Sequence, residues 1–304
     1  MCPVCGGILS VVSGKDLVCE KKSCGAKYPI IGTILNFSGD SGEDDIDLSI
    51  DKWDEFYSNR GKKTELESYF KTYLKNDFPF AYPQLIECKP LKKGSVFLEI
   101  GCGPMLLARA LSKECKVVIG VDFSLEALKQ AEVVLESGGV KNYILILGDI
   151  KSMPIKDSSI DLLYGGGVIE HFKDTFSAIK EFSRVLKKGG VSFNTVPYLN
   201  IGSLTYRQVW GNIPNFPVLK QIAEFVHIKL LKSKHMTFGY ELSFLGLHIK
   251  YLHRKAGFKK VKVQKFKTHL VFEFIPNKHL KKFFIWLAEE VWLFWPMVKV
   301  VGFK

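Results

Sequence analysis

The hydrophobic pattern in the middle of the chain alternates between two periods. Short apolar runs, the length of buried strands, lie at residues 96–100, 116–121, 143–147, 160–164 and 191–196. Stretches with apolar residues at helical spacing separate several of them, at 105–112, 125–137 and 175–186. Strands that alternate with helices favour right-handed crossovers and a parallel sheet with helices on both faces. The pattern therefore predicts an α/β, doubly wound, mostly parallel fold.

The pattern changes on either side of this core. Aromatic and aliphatic residues at helical spacing precede it at 53–74, and residues 198–250 contain no run long enough for a core strand. A final helix is predicted at 242–257, followed by a strand pair at 259–266 and 269–275. The predicted division is 1–38, a cysteine-rich segment; 39–90, a linker and helical cap; 91–197, a core; 198–250, a helical insertion over the site; 251–275, the end of the sheet; and 276–304, an amphipathic, aromatic-rich tail.

The first core strand ends in a turn that needs glycine. Gly101 and Gly103 flank Cys102, and a Cβ at either glycine would obstruct the turn and the approach of a ligand. Leu106 stands where a dinucleotide fold would have its third glycine, so the turn alone does not specify the ligand. Asp122 follows the second strand about twenty residues after the turn, where a carboxylate can accept hydrogen bonds from ribose hydroxyls. The residues thus indicate a nucleotide-type site beyond the carboxyl ends of the strands.

Five sequence motifs, taken in order, limit the protein families that the chain can resemble. They are Glu99-Ile100-Gly101-Cys102-Gly103, Val121-Asp122-Phe123-Ser124, Gly148-Asp149-Ile150, Asp161-Leu162-Leu163 and Val168-Ile169-Glu170-His171. In this order and spacing they resemble class I S-adenosylmethionine-dependent methyltransferases, nearest to the branch that includes quinone-biosynthesis enzymes. The resemblance covers about residues 91–197 and returns at 252–266. It implies a seven-stranded Rossmann-like sheet with S-adenosyl-L-methionine as cofactor.

The resemblance also implies a role for each motif. Gly101, Cys102 and Gly103 would lie against the methionine part of the cofactor, and Glu99 would reach its ammonium group. The ribose and adenine would be bordered by Asp122, Phe123, Asp149 and Ile150. Gly166 would face the sulfonium. Cys102 is interpreted as a small turn residue and Asp161 as a partner for backbone groups.

His171 is the candidate general base, because an imidazole near neutral pKa can take a proton from an acceptor as the methyl group arrives. The Glu170-His171 pair also occurs in the family as a helix-start element, so both interpretations stay open. Some quinone O-methylating relatives bind a divalent ion through an acid three residues before the glutamate. Gly167 occupies that position here, which argues against such an ion.

Four cysteines near the start have metal-ligand spacing, namely Cys2, Cys5, Cys19 and Cys24. Two cysteine pairs on tight turns can arrange four thiolates tetrahedrally around zinc. So short a segment could hardly fold without a metal ion or another cross-link to stabilise it. The alternative is a small hairpin with unligated thiols. The segment resembles a zinc-ribbon family found beside or fused to methyltransferases, which implies a structural zinc.

The uneven distribution of charge and the residues of the tail, 278–304, suggest possible binding partners. The net charge is +12, and residues 198–304 hold 18 basic and 5 acidic side chains, against 25 and 26 in residues 1–197. Tryptophans with flanking lysines in 278–304 suit a helix at an anionic membrane surface, with packing on the domain or on a second subunit as the alternative.

We expect a small-molecule or lipid-like acceptor for the methyl group. The competing function is a ribosomal or transfer RNA base methyltransferase that grips RNA with the cysteine-rich segment and basic last third. A non-catalytic binding module is the third option, against which the intact cofactor motifs argue. The lack of a leader predicts a cytoplasmic protein, at most peripheral at the membrane.

Overall fold

The computed structural model describes residues 1–38, 47–58, 63–236, 239–266, 272 and 275–304. The first strands are β1 (Leu9–Val12), β2 (Asp16–Cys19), β3 (Lys27–Ile31) and β4 (Ile34–Asn36), paired antiparallel in that order. We call residues 1–38 the ribbon. Three helices follow: α1 (Asp47–Ser58), α2 (Lys63–Asn76) and α3 (Phe78–Cys88). In the predicted linker and helical cap at 39–90, residues 39–46 lie outside the described residues and α1 begins at Asp47.

The core alternates strand and helix as the hydrophobic pattern predicts. Its elements are β5 (Val96–Ile100), α4 (Leu106–Leu111), β6 (Val117–Asp122), α5 (Leu125–Ser137), β7 (Tyr143–Leu147), β8 (Ile160–Gly166), α6 (Thr175–Val185) and β9 (Leu186–Pro197). The remainder consists of α7 (Ile201–Leu204), β10 (Ile213–Pro214), α8 (Pro217–Glu224), β11 (Leu242–Ser243), α9 (Gly246–Lys255), β12 (Lys260–Phe266), α10 (Lys278–Glu290) and β13 (Met297–Phe303).

Eleven strands of the described chain form one mixed sheet, in the order β1-β2-β3-β4-β7-β6-β5-β8-β9-β13-β12. Strands β4 to β9 pair in parallel, while the ribbon strands and β13 run antiparallel to their neighbours. Seven of these strands, β7-β6-β5-β8-β9-β13-β12, match in number the seven-stranded core implied by the resemblance, and all but β13 lie at places that the sequence predicted. Buried side chains cover both faces of this part of the sheet.

The last two core strands differ from the prediction. The predicted strand at 269–275 lies outside the described residues apart from residues 272 and 275, and strand β12 pairs with another segment. Its partner is β13, whose residues 297–303 insert between β9 and β12. Val298, Val300 and Val301 are buried there. The predicted tail 276–304 is thus a surface helix followed by a core strand, because an apolar run with β-branched residues gains more from two-sided burial in a sheet than from a surface.

The ribbon is also more closely joined to the core than a separate segment would be. Strand β4 pairs in parallel with β7, from Ile34 beside Leu145 to Asn36 beside Leu147. The Phe37 amide donates to the Leu147 carbonyl at 2.7 Å. The ribbon therefore covers what would otherwise be an open sheet edge with unpaired backbone groups.

Local signals start the core helices at the predicted places. The Ser124 hydroxyl caps α5 by accepting from the Ala127 amide at 3.1 Å, and Asp174 caps α6 through the Ser177 amide. Both residues sit between a strand end and an apolar helix face. In the described part of the chain, no helix is both long and apolar enough to cross a bilayer.

Candidate active site

The glycine turn lies at the carboxyl end of β5. Gly101 and Gly103 have φ angles of +51° and +47°, in the left-handed region that favours glycine. A Cβ on Gly101 would stand 2.6 Å from a Val168 methyl group, and one on Gly103 would stand 2.6 Å from the Tyr57 hydroxyl. Conformation and space therefore both require glycine at these two positions.

Asp122, at the end of β6, is held against this turn. Its Oδ2 accepts from the Gly103 amide at 2.8 Å and its Oδ1 from the Ser124 amide at 2.9 Å. Burial raises the pKa of Asp122 to about 6, although these amide hydrogen bonds oppose the shift. The two contacts fix the carboxylate at the strand tip, where the ribose is expected.

Glu99, near the end of β5, is buried beside it. Its Oε2 accepts from the Ala108 amide in α4 at 3.0 Å. Burial, with a contribution from the charge of Asp122, raises the pKa of Glu99 to about 8. A cationic ligand here would favour the ionised form and bring this pKa down.

The other predicted cofactor residues lie at the neighbouring strand ends. Asp149, just after β7, accepts from the Lys151 amide at 2.8 Å, and Ile150 beside it is buried. Phe123 is half-buried after β6, and Gly166 ends β8. Burial raises the pKa of the Cys102 thiol well above its usual value, so this thiol stays protonated and suits the structural role predicted for it.

Helix α1 packs against the turn from outside the sheet. The Trp53 ring stacks on Tyr57 with centroids 6.0 Å apart, and Tyr57 reaches Gly103. The Trp53 ring also meets His171 edge to face at 6.1 Å. Asp54 accepts a hydrogen bond from Ser124, next to Asp122. The residues before the first core strand thus border both Gly103 and His171.

His171 follows β8 and joins it to the insertion. Its Nδ1 lies 2.6 Å from the Tyr240 carbonyl oxygen. Since a carbonyl only accepts, Nδ1 carries the proton, and in the neutral ring the lone pair is on Nε2. Burial lowers the pKa of His171, opposed by the charge of Glu241 and the carbonyls of Tyr240 and Gly167. The imidazole is therefore neutral at pH 7.

A pocket of about 500 Å³ opens beside the turn, between it and the helices that precede the core. Glu99, Cys102 and Gly166 contribute to one side. The rest of the lining is mostly aromatic or aliphatic and includes Tyr69, Tyr73, Phe80, Ala81, Pro104, Leu106, Leu107, Tyr164 and Phe266, with Asp77. The lining is typical of a site for an apolar or aromatic small molecule.

A buried ionic cluster behind His171 was not anticipated from the sequence. Arg207 and Glu241 form an ion pair, and the Asn212 amide donates to Glu241 at 3.1 Å. Glu170 is buried nearby, and desolvation raises its pKa well above the usual value. Because these residues come from segments up to 71 positions apart, no local spacing could have predicted their meeting.

The four amino-terminal cysteines come together in the ribbon. All four Sγ atoms lie within 4.8 Å of one another, with Cys2 and Cys24 at 3.8 Å and Cys5 and Cys19 at 3.4 Å. Tetrahedral Zn–S bonds of about 2.3 Å would separate the sulfurs by roughly 3.8 Å. The donor set and its size therefore fit zinc.

Asp161 has the backbone partner that the sequence predicts, since its Oδ2 accepts from the Val96 amide at 2.8 Å.

Comparisons with known proteins identify the family. The "Methyltransferase domain" family model matches residues 98–193, the stretch that contains the glycine turn, Asp122 and Asp149. A demethylmenaquinone methyltransferase of Staphylococcus haemolyticus is 31% identical over 193 residues, which are 58% of this chain and 73% of that protein. The chain belongs to the S-adenosylmethionine-dependent methyltransferases. It is an enzyme, as the intact motifs predicted.

Alignments with two further relatives include different fractions of this methyltransferase and of the relatives. A demethylmenaquinone methyltransferase of Staphylococcus carnosus is 29% identical over 60% of this chain and 76% of its own length. The chain spans only 50% of an uncharacterised protein in a Streptomyces fradiae transposon, to which it is 33% identical over 59% of its own length.

Solved structures support the fold of this methyltransferase. A chain of the complex between the Haloferax volcanii Trm112 methyltransferase activator and a methyltransferase superposes with a TM-score of 0.55 at 16% identity, over 83% of this chain and 96% of that one. Phosphoethanolamine N-methyltransferase 2 of Haemonchus contortus, solved with S-adenosyl-L-methionine, gives 0.52 at 18% identity, over 80% of this chain and 57% of that one. At these identities the likeness establishes the Rossmann-like fold.

Proposed function

We propose that this methyltransferase transfers a methyl group to a small-molecule or lipid-like acceptor bound in the pocket beside the glycine turn. The observation that carries the proposal is the position of the pocket: it adjoins Glu99 and Gly166 and continues along aromatic side chains. The relatives named demethylmenaquinone methyltransferase act, by that name, on demethylmenaquinone. A similar apolar acceptor fits this lining.

The residues at the strand tips have distinct proposed roles toward the cofactor. S-adenosyl-L-methionine supplies an electrophilic methyl group on a sulfonium, so the protein chiefly positions the reactants and excludes water. Asp122 accepts hydrogen bonds from the ribose, and Glu99 meets the ammonium. The flat surface of Gly101, Cys102 and Gly103 admits the methionine part. Phe123, Asp149 and Ile150 border the adenine, and Gly166 faces the sulfonium.

We further propose that His171, which is not part of the pocket lining and lies beside Trp53, takes the acceptor proton where the acceptor meets the cofactor. Its neutral ring has a lone pair on Nε2, and the hydrogen bond to Tyr240 orients it. The Trp53 ring beside it helps to exclude water from this part of the site. The helix-start interpretation of the Glu170-His171 pair is the alternative, and it predicts lost stability without a change in the pH profile of turnover.

The ribbon is proposed to hold one structural zinc through Cys2, Cys5, Cys19 and Cys24. The four sulfurs fit the ion in number and spacing. We assign no catalytic step to this metal, because it lies in the ribbon and its ligands are all protein thiolates. Its role is to stabilise a segment of short strands with little core of its own.

Two proposals from the sequence concern larger partners. The exposure of Phe283 and Trp286 beside Lys282 on helix α10 supports the proposal of an anionic membrane surface as a partner. A possible RNA substrate finds no support at the site, since the residues that line the described pocket include no lysine or arginine. We therefore retain the lipid-like acceptor and the peripheral location, and we do not pursue the RNA alternative.

The test measures cofactor binding and acceptor class separately. Calorimetry should detect S-adenosyl-L-methionine or its demethylated product, and Asp122→Ala should weaken binding by about 1.5–3 kcal/mol through lost charge-assisted hydrogen bonds. Transfer of a radiolabelled methyl group should then enter an organic lipid extract rather than a water-soluble metabolite pool or purified RNA. Label in RNA alone would contradict the proposed acceptor, and tight NAD binding without a response to S-adenosyl-L-methionine would contradict the cofactor.

A further inference from the structure

One side of the insertion exposes a row of large apolar residues. Helix α8 continues without a break into a π-helical stretch, Phe225–Leu230. Val218, Ile222, Phe225 and Leu230 are 62%, 56%, 59% and 65% exposed. Phe216, Leu219 and Leu231 are exposed as well. We call these seven residues the insertion face. Large exposed apolar patches on proteins mark interaction sites.

The exposed charged side chains of residues 216–236 are all lysines. Residues 216–236 contain Lys220, Lys229, Lys232 and Lys234. Their single acid is Glu224, whose Oε1 accepts from the Tyr240 hydroxyl at 2.8 Å and so points toward the domain. The opposite side of the helix is buried through Ala223 and His227. The helix is therefore amphipathic, with its apolar insertion face and Lys229 exposed, and the exposed Lys232 and Lys234 follow it directly.

We propose that the insertion face docks on an anionic lipid bilayer. Apolar side chains of a surface helix enter the boundary between headgroups and acyl chains, and adjacent lysines are attracted to anionic headgroups. A complementary protein would need an acidic apolar groove, whereas an anionic bilayer meets both requirements by its composition. The insertion face and α10 are different segments of the chain, so substitutions in the full chain can test the two surfaces separately.

The insertion face is linked to the candidate active site. The hydroxyl of the buried Tyr240 donates a hydrogen bond to Glu224 in α8, and the Tyr240 carbonyl accepts one from His171. Two hydrogen bonds thus join the docking helix to the residue proposed as the base. Docking would bring a lipid-like acceptor to the site from the bilayer. This delivery rests on the proposed function, but the docking itself does not.

The experiment compares the parent with three double variants and one single variant of the full chain. Ile222→Asp with Phe225→Asp places charge in the insertion face, and Leu247→Asp is the matched control, because Leu247 in α9 is 84% exposed but lies outside that face. Sedimentation is measured with liposomes of phosphatidylcholine alone and with added phosphatidylglycerol. We expect the parent and the control to bind the mixed liposomes, and the double variant to bind at least about tenfold more weakly. Lys229→Gln with Lys232→Gln should weaken binding only where phosphatidylglycerol is present.

Several results would overturn the proposal. Equal liposome binding by the double variant and the control would exclude the insertion face, and loss of binding only in Phe283→Asp with Trp286→Asp would assign docking to α10. A parent that ignores liposomes but forms a dimer broken by the double variant would make a second copy the occupant. A parent that binds structured RNA with a steep salt slope would make RNA the partner. Cofactor binding by calorimetry is measured in parallel, so a failure of docking is distinguished from a failure of the methyltransferase site.

Discussion

The Tyr57 hydroxyl lies so close to Gly103 that a Cβ on this glycine would stand 2.6 Å from it. The contact joins helix α1 to the turn after β5, and Gly103 also has a φ of +47°. A substitution at Gly103 therefore meets two obstacles, a strained backbone and a helix that must move.

We expect Gly103→Ala to weaken S-adenosyl-L-methionine binding by at least about tenfold and to lower the free energy of unfolding by about 1–2 kcal/mol. Calorimetry and chemical denaturation measure the two effects. Gly94→Ala is the matched control, because a Cβ there meets nothing within 4 Å. If both variants bind the cofactor as the parent does, the turn is not part of the cofactor site.

The pKa of Glu99 predicts a pH dependence of cofactor binding. Burial raises this pKa to about 8, so the free protein carries a proton there at neutral pH. A bound ammonium favours the carboxylate, and binding must then release the proton. Cofactor affinity attributable to Glu99 should therefore rise with pH up to about 8 and level off above it, by up to about tenfold per pH unit below the pKa.

Calorimetry in buffers of different ionisation enthalpy measures this proton release. Glu99→Gln should abolish the part of the release that belongs to Glu99 and flatten the profile between about pH 6.5 and 8, the range just below the pKa of Glu99 of about 8. The parent serves as reference, because the ammonium of the cofactor titrates equally in both. An unchanged release in Glu99→Gln would show that another group meets the ammonium.

The ribbon cysteines predict metal content. Elemental analysis of protein purified without added metal should give close to one zinc per chain, and Cys19→Ser with Cys24→Ser should remove it. Cys88→Ser is the control, since Cys88 lies in α3 outside the four-cysteine cluster. Because β4 pairs with β7, we also expect the zinc-free variant to unfold at lower temperature. Four thiols that titrate freely in native, metal-free protein would contradict the prediction.

The position of β13 inside the sheet predicts that the fold requires residues 297–303. Val300 is fully buried in this strand, between β9 and β12. Val300→Asp should lower the free energy of unfolding by more than about 3 kcal/mol, because it buries a charge without a partner. Lys282→Ala, on the exposed side of α10, should change it by less than about 0.5 kcal/mol. Removal of residues 278–304 should accordingly abolish the fold, and cofactor binding with it. Cooperative unfolding that survives the deletion would contradict the role of β13.

The sequence by itself determined the alternation of the core and the residues at its strand tips. Each of these signals is local: an apolar run gives a strand, a glycine with a left-handed φ gives a turn, and a serine or aspartate caps the next helix. Because parallel strands end at one edge, local signals sufficed to bring Glu99, Asp122 and Asp149 to the same side of the sheet. Their chemical roles toward the cofactor remain predictions.

Tertiary structure decided what depends on distant partners. An apolar strand pairs with whichever edge buries it best, and periodicity does not name that edge, so neither the pairing of β4 with β7 nor the insertion of β13 beside β9 was predicted. The same holds for side chains. The Tyr57 contact with Gly103 and the ion pair of Arg207 with Glu241 join segments whose separation along the chain carries no signal, because only the packed domain brings them together.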